Sequence, residues 1–177
     1  MANSIKIIGI DPGSRIAGFG IVGLGAGEPA YIDHGVFRLP ADLSLDARLL
    51  SLRQQLNAVL ELHKPAFGVI EKIFLGKNPD SAFKLGHARG VCMVELAGHG
   101  AEIVEYGARQ VKKGVTGNGG ATKDQVGMLV TARLAIKNAR ELPEDATDAL
   151  ALALYHAVTL QVGLRMNGRV RERGIRT

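Results

Sequence analysis

The sequence predicts an α/β domain in which helices cover a mixed sheet. Two observations carry this: three strand-length apolar runs open the chain, and further apolar runs then alternate with stretches of helical periodicity. A third is bulk. With 46% hydrophobic residues in 177 positions, the chain suits one domain with a substantial core and leaves little room for a second.

Ile5 to Ile10 is apolar, Asp11-Pro12-Gly13-Ser14 is a turn signal, and Gly18 to Val22 resumes the apolar pattern, so the opening reads as a hairpin. A third strand near Ala30 to Phe37 extends the antiparallel pairing. Leu45, Leu49, Leu52, Leu56 and Val59 then mark one face of a helix, closed off by Pro65. Phe67 to Ile70 reads as a buried strand with Glu71 at its carboxyl end. Asn78-Pro79-Asp80 is a helix start, because Asn suits the cap, Pro the first position and Asp the positive dipole end. That helix is expected to run to about Leu96, with Gly98 and Gly100 ending it. Ile103 to Tyr106 predicts another strand. Thr122 and Gln125 form a capping-box pattern for a helix reaching about Asn138, and a final helix begins near Asp145. The closing GLRMNGRVRERGIRT has five arginines and little periodicity. The expected division is a domain over residues 1–160 and a basic, flexible tail over 161–177.

The formal charge of +5 suits a polyanionic partner, although many ordinary proteins share it. Cys92 is the single cysteine and sits in an apolar run, which excludes an intramolecular disulfide and fits a small buried hydrophobe in a reducing compartment. The amino terminus lacks a basic segment followed by a signal-length apolar core, and no apolar run approaches the ~20 residues that span a bilayer. A bacterial-type cytoplasmic location without membrane association is the expectation.

Four acids in three segments stand out: Asp11 in GIDPGS, Glu71 in GVIEKIF, and Asp145 and Asp148 in EDATDALALAL. Each has an ordinary use. Asp11 suits a turn, Glu71 a solvated strand end, and Asp145 with Asp148 a helix cap and a dipole partner. Yet Asp145 and Asp148 share one helix face, and Asp148 points to the apolar side defined by Leu152 and Tyr155. An inward-facing acid needs a partner. Carboxylates converging at a strand end would be offset by hard divalent cations, which points to phosphoryl-transfer chemistry on magnesium. No convincing Ser/His/Asp or Cys/His arrangement supplies a protein nucleophile, and His63, His87, His99 and His156 lack metal-ligand spacing.

Lys112, Lys113 and Lys123 flank Gly114, Gly117, Gly119 and Gly120, so a flexible loop with cations at both ends is expected to meet phosphates. It lacks the GxxxxGK[ST] order of a nucleotide-binding loop. Arg89 in GHARG suits either a phosphate contact or a helix cap. Phe74 reads as core from the residues alone.

The ordered motifs IxGIDPGSRxxGxG, IEKIFLGKNPDSAFKLGHARG, ARQVKKGVTGNGGATKDQV and LPEDATDALALAL cover most of residues 5 to 156, and they resemble the RuvC-type Holliday junction resolvases of the ribonuclease H-like superfamily. The resemblance implies a central mixed five-stranded sheet flanked by helices. It also implies Asp11, Glu71, Asp145 and Asp148 as catalytic ligands of two Mg2+ ions, with Mn2+ as a substitute. Lys112 and Lys123 match the family's basic positions near the cut, with Lys123 counted among the catalytic residues, and Phe74 matches its base-stacking aromatic. Hydrolysis would leave 5′-phosphate and 3′-hydroxyl ends. A homodimer built on the helix over Ser81 to Leu96, whose Ala82, Gly86 and Gly90 permit close approach, would place two sites on a four-way DNA junction, and a RuvA–RuvB motor complex would be the partner. Lys72 departs from the glutamine expected beside the glutamate, but an adjacent strand residue points to the other face. The rival readings are another ribonuclease H-like nuclease acting on RNA or hybrid, an actin-like phosphotransferase, for which the chain is too short, and a junction-binding module that does not cut.

Overall fold

A computed structural model of the chain describes residues 4–72, 79–137 and 141–173. Five strands, β1 (Ile5–Asp11), β2 (Ile16–Leu24), β3 (Ala30–Arg38), β4 (Phe67–Glu71) and β5 (Glu102–Tyr106), form one sheet in the order β3-β2-β1-β4-β5. The opening hairpin and its third strand pair antiparallel, whereas β4 joins β1 and β5 joins β4 in parallel. Helices α1 (Leu45–His63) and α2 (Pro79–Gly98) cover one face. The other is covered by α3 (Ala108–Thr116), α4 (Lys123–Arg133) and α5 (Glu144–Arg173).

Strand alternation sorts the core. Ile8, Ile10, Ile21 and Ile70 pack with Leu52, Leu56 and Leu96 under α1 and α2, while Ile7, Val22 and Val69 pack with Leu150 and Leu154 of α5. Each such side chain, fully buried, contributes roughly 1.5–3 kcal/mol before the entropy of ordering is set against it. Cys92 lies in the first of these cores, where burial pushes its thiol up to about 12 and leaves it inert.

Glycines decide how close α5 comes. A Cβ on Gly9 would lie 2.0 Å from the Ala149 carbonyl oxygen, one on Gly18 2.0 Å from that of Asp145, and one on Gly20 2.7 Å from the Leu150 nitrogen. Gly9 and Gly20 are register partners across β1 and β2, and Gly18 faces Asp11. Together they form a bare seat on which the backbone of α5 rests, and this fixes where its first turns lie relative to Asp11.

Two elements depart from expectation. Residues 108–116 form α3 rather than the start of a flexible loop: Val111 and Val115, four apart, are buried, and Gly117 ends the helix in the left-handed conformation at φ 79°. Gly114 sits inside this helix, and only glycine fits there, because a Cβ would meet the Tyr155 ring at 2.0 Å. Next, α4 stops at Arg133, short of Asn138, where Ala135 turns left-handed at φ 51°. The Thr122–Gln125 capping box that starts α4 is present in both directions. Helix α5 runs through residue 160 to Arg173.

By length and composition the stretch Glu144–Met166 of α5 is apolar enough to cross a membrane, contrary to the expectation from runs alone. Its alanines and leucines are spent on the sheet: Ala146, Ala149, Leu150, Ala153 and Leu154 are all buried in this domain.

Candidate active site

β1 and β4 run parallel and in register up to Ile10 opposite Ile70, so Asp11 and Glu71, one step further, stand side by side at their carboxyl ends. Both follow residues that face α5, Gly9 and Val69, and therefore turn to that side of the sheet. The glycine seat brings the first turns of α5 against the same ends. Asp11, Glu71 and Asp148, with Lys112 of α3 and Lys123 of α4, line one cleft of about 310 Å3. Asp145 lies beside it and acts on Asp11 through its charge.

The electrostatics report the crowding. Burial, then the charges of Asp148, Glu71 and Asp145, push the Asp11 carboxyl up from 3.8 to about 7, and only Lys123 counters them. Glu71 is raised by its own burial and by Asp148, with Lys123 and Lys112 pulling it back. Lys123 carries much of this compensation: its ammonium lies 2.5 Å from Glu144 Oε1 and 2.9 Å from Asp148 Oδ2. Those bonds, the one to Glu144 first, hold its pKa above the usual lysine range.

The donor chemistry fits hard divalent cations, since every acid offers carboxylate oxygen and the cluster holds more negative charge than its lysines offset. Among the described residues, however, no three of these groups stand close enough together to ligate one ion. Lys123 instead pairs with Asp148 Oδ2 at 2.9 Å.

The remaining predicted residues divide. Lys112, partly buried on α3, is in the cleft, while Lys113 is exposed on the same helix and outside it. Both are helical, which corrects the loop expectation. Arg89 is neither a free cation nor a helix cap: its guanidinium pairs with Glu105 of β5, and its Nε donates to the main-chain oxygen of Glu71 at 3.3 Å. Lys72 is exposed next to Glu71, with its backbone nitrogen donating to Tyr106. Phe74 lies outside the described residues. His63 pairs with Asp33, His99 with Glu61, and His156 with the Tyr106 hydroxyl, burial keeping His156 below its usual pKa.

Glu144 was missed. It directly precedes Asp145 and holds Lys123 more closely than Asp148 does. The signal was its place on the first turn of α5, one helical turn before Asp148.

A family model described as crossover junction endodeoxyribonuclease RuvC matches residues 7–156. The chain is 51% identical over 158 residues to the crossover junction endodeoxyribonuclease RuvC of Bdellovibrio bacteriovorus, covering 89% of this chain and 93% of that one. It is 44% identical over 151 residues to the Legionella pneumophila (strain Paris) protein of the same name, covering 85% and 86%. The solved structure of Thermus thermophilus RuvC in complex with Holliday junction substrate superposes with a TM-score of 0.83 at 30% identity, covering 90% of this chain and 96% of that one. A family model over most of the chain, relatives at 44–51% identity and the shared mixed five-stranded sheet agree, and the chain belongs to the RuvC family of crossover junction endodeoxyribonucleases.

Proposed function

We propose that this protein resolves four-way DNA junctions by paired, symmetric, metal-dependent nicks during recombination and repair. The observation that carries the reading is the convergence of Asp11, Glu71 and Asp148 on one open cleft with two lysines at its wall, Asp145 adding charge from beside it.

Asp11, Glu71, Asp145 and Asp148 are the residues that would hold two Mg2+ ions, or Mn2+ in their place. When bound, the ions would supply a nucleophilic water and stabilise the leaving oxygen. The chain's own residues set the geometry. The sheet fixes Asp11 and Glu71 on adjacent strand ends, and the glycine seat fixes the first turns of α5. Lys123, held between Glu144 and Asp148, would offer a cation to a phosphate in the cleft. Lys112 offers a second cation on the same wall. Hydrolysis in this arrangement leaves 5′-phosphate and 3′-hydroxyl ends that a ligase can rejoin.

Paired cuts need two sites related by two-fold symmetry, which a homodimer supplies. Phe83 and Val94 of α2 are 69% and 70% exposed, and between them a Cβ on Gly86 or Gly90 would meet nothing within 4 Å. This open apolar stripe suits a second copy of the same helix. Phe74, carried on the segment before α2, is the proposed base-stacking residue. Lys113 would add a phosphate contact, a RuvA–RuvB motor would deliver the junction, and access to chromosomal DNA places the work in the bacterial cytoplasm.

Cleavage of a labelled synthetic four-way junction tests this, with duplex, single strands and RNA–DNA hybrid as competitors. Symmetric, ligatable nicks at the junction, lost with EDTA or in Asp148→Asn, are expected. Tight binding without nicks identifies a non-catalytic module, and preferential hybrid cleavage a different nuclease.

A further inference from the structure

We propose that Arg89 is a positioning residue that braces Glu71 from behind the sheet, and that it makes no DNA contact. The inference rests on the reading of Glu71 as a catalytic acid. Arg89 lies on α2 with its side chain only 18% exposed, and its donors are committed. Nε donates to the Glu71 carbonyl oxygen at 3.3 Å, one terminal nitrogen to Met93 Sδ at 3.1 Å, and the other pairs with the Glu105 carboxylate.

Sheet register explains the arrangement. Glu105 is opposite Ile70, which packs under α2, so Glu105 faces α2 as well. Glu71 follows Ile70, and its side chain turns the other way, into the acid cleft. Its carbonyl remains in the plane of the sheet, where a guanidinium on the far face can reach it. β5 is an edge strand with one neighbour, β4, and the last rung between them joins Glu71 to Tyr106. Arg89 ties both strands to α2 at that rung. The planar fork suits two acceptors at once, which a lysine ammonium on a flexible stem does not reproduce. The sheet also stands between Arg89 and the cleft where the phosphate would lie. Small displacements of a catalytic group are costly, on the order of 100-fold in rate for 1 Å.

The test uses the full chain, a labelled junction and four variants: Arg89→Met, Arg89→Lys, Glu105→Gln, and Lys112→Met as the reference for a phosphate contact. Junction affinity is followed against salt in EDTA, cleavage as a single-turnover rate, and Mn2+ binding by titration without DNA. Arg89→Met and Glu105→Gln are each expected to slow cleavage about 10–100-fold and to weaken Mn2+ binding by about 10-fold, as changes one shell out from a metal ligand do. Arg89→Lys, which keeps the charge, is not expected to rescue either. The slope of log affinity on log salt should stay at the wild-type value in all three, whereas Lys112→Met flattens it by about 0.9. A slope flattened by about 0.9 in Arg89→Met, or wild-type cleavage and Mn2+ binding there, overturns the proposal. Should Arg89→Met fail to fold, Glu105→Gln decides on the same readouts. A wild-type chain that cuts no junction defeats the proposed function instead, and the Mn2+ titrations then decide on Arg89 alone.

Discussion

Removing one charge from the acid cluster should stabilise the metal-free protein, and by an amount that depends on pH. In Asp11→Asn the carboxyl that is raised from 3.8 to about 7 becomes neutral at every pH. The sign follows from linkage. Below about 3.8 the carboxyl is protonated whether the chain is folded or not, and it costs nothing. Between 3.8 and about 7 the folded state keeps a proton that the unfolded state has lost, so stability falls as pH rises through this window, and above it the full penalty remains. A shift of about 3 units at roughly 1.36 kcal/mol each sets a ceiling of about 4 kcal/mol. Asp11 is only partly buried at the cleft wall, and solvent screening reduces the expected gain to about 2 kcal/mol at pH 8. For a chain of this size that is a rise in Tm of about 4–8 °C. The assay is thermal or urea unfolding of both proteins in EDTA at pH 4, 6 and 8. Saturating Mn2+ should reverse the order, because binding to the folded wild type alone adds stability. A difference between the two proteins that stays flat from pH 4 to pH 8 refutes the idea that these carboxylates share one poorly solvated cluster.

Three further outcomes follow from the geometry. Gly9→Ala places a methyl 2.0 Å from the Ala149 carbonyl, so it should cost about 3 kcal/mol or more in urea unfolding and lose cleavage, whereas Gly27→Ala, with nothing within 4 Å, should stay within about 0.5 kcal/mol. Lys123→Met should abolish junction cleavage and cost about 1–2 kcal/mol of metal-free stability, because its pair with Glu144 is largely exposed while Asp148, 26% exposed, and Asp11 lose their counter-charge; a loss of stability large enough to unfold the protein at the assay temperature counts against a role at the phosphate. Val94→Glu on the open stripe of α2 should shift the protein to monomer in sedimentation velocity with little change in monomer Tm, and an unchanged sedimentation coefficient removes α2 from the interface.

The sequence already held the strands, because their apolar runs and turn residues are local signals, and it held the four acids, because each ends a strand or opens a helix. Register was not legible. Nothing local says that Ile10 stands opposite Ile70, yet that pairing is what sets Asp11 beside Glu71. α3 was hidden because Gly114 reads as a loop residue, and the reason for it, the Tyr155 ring, arrives from 41 positions further along the chain. Arg89 and Lys123 looked like free cations for the same reason. Their partners, Glu105 and Glu144, are distant in sequence, and burial with pairing is a tertiary property.

The seat of Gly9, Gly18 and Gly20 has a consequence for biosynthesis. The strands that carry Asp11 and Glu71 leave the ribosome well before α5, which is the last element in chain order and carries both remaining acids. A nascent chain thus holds Asp11 and Glu71 alone, and Asp145 and Asp148 join them only when α5 settles on the glycines. Because the helix that completes the core also completes the charge cluster, a partly made or partly unfolded copy lacks the assembled acid cluster.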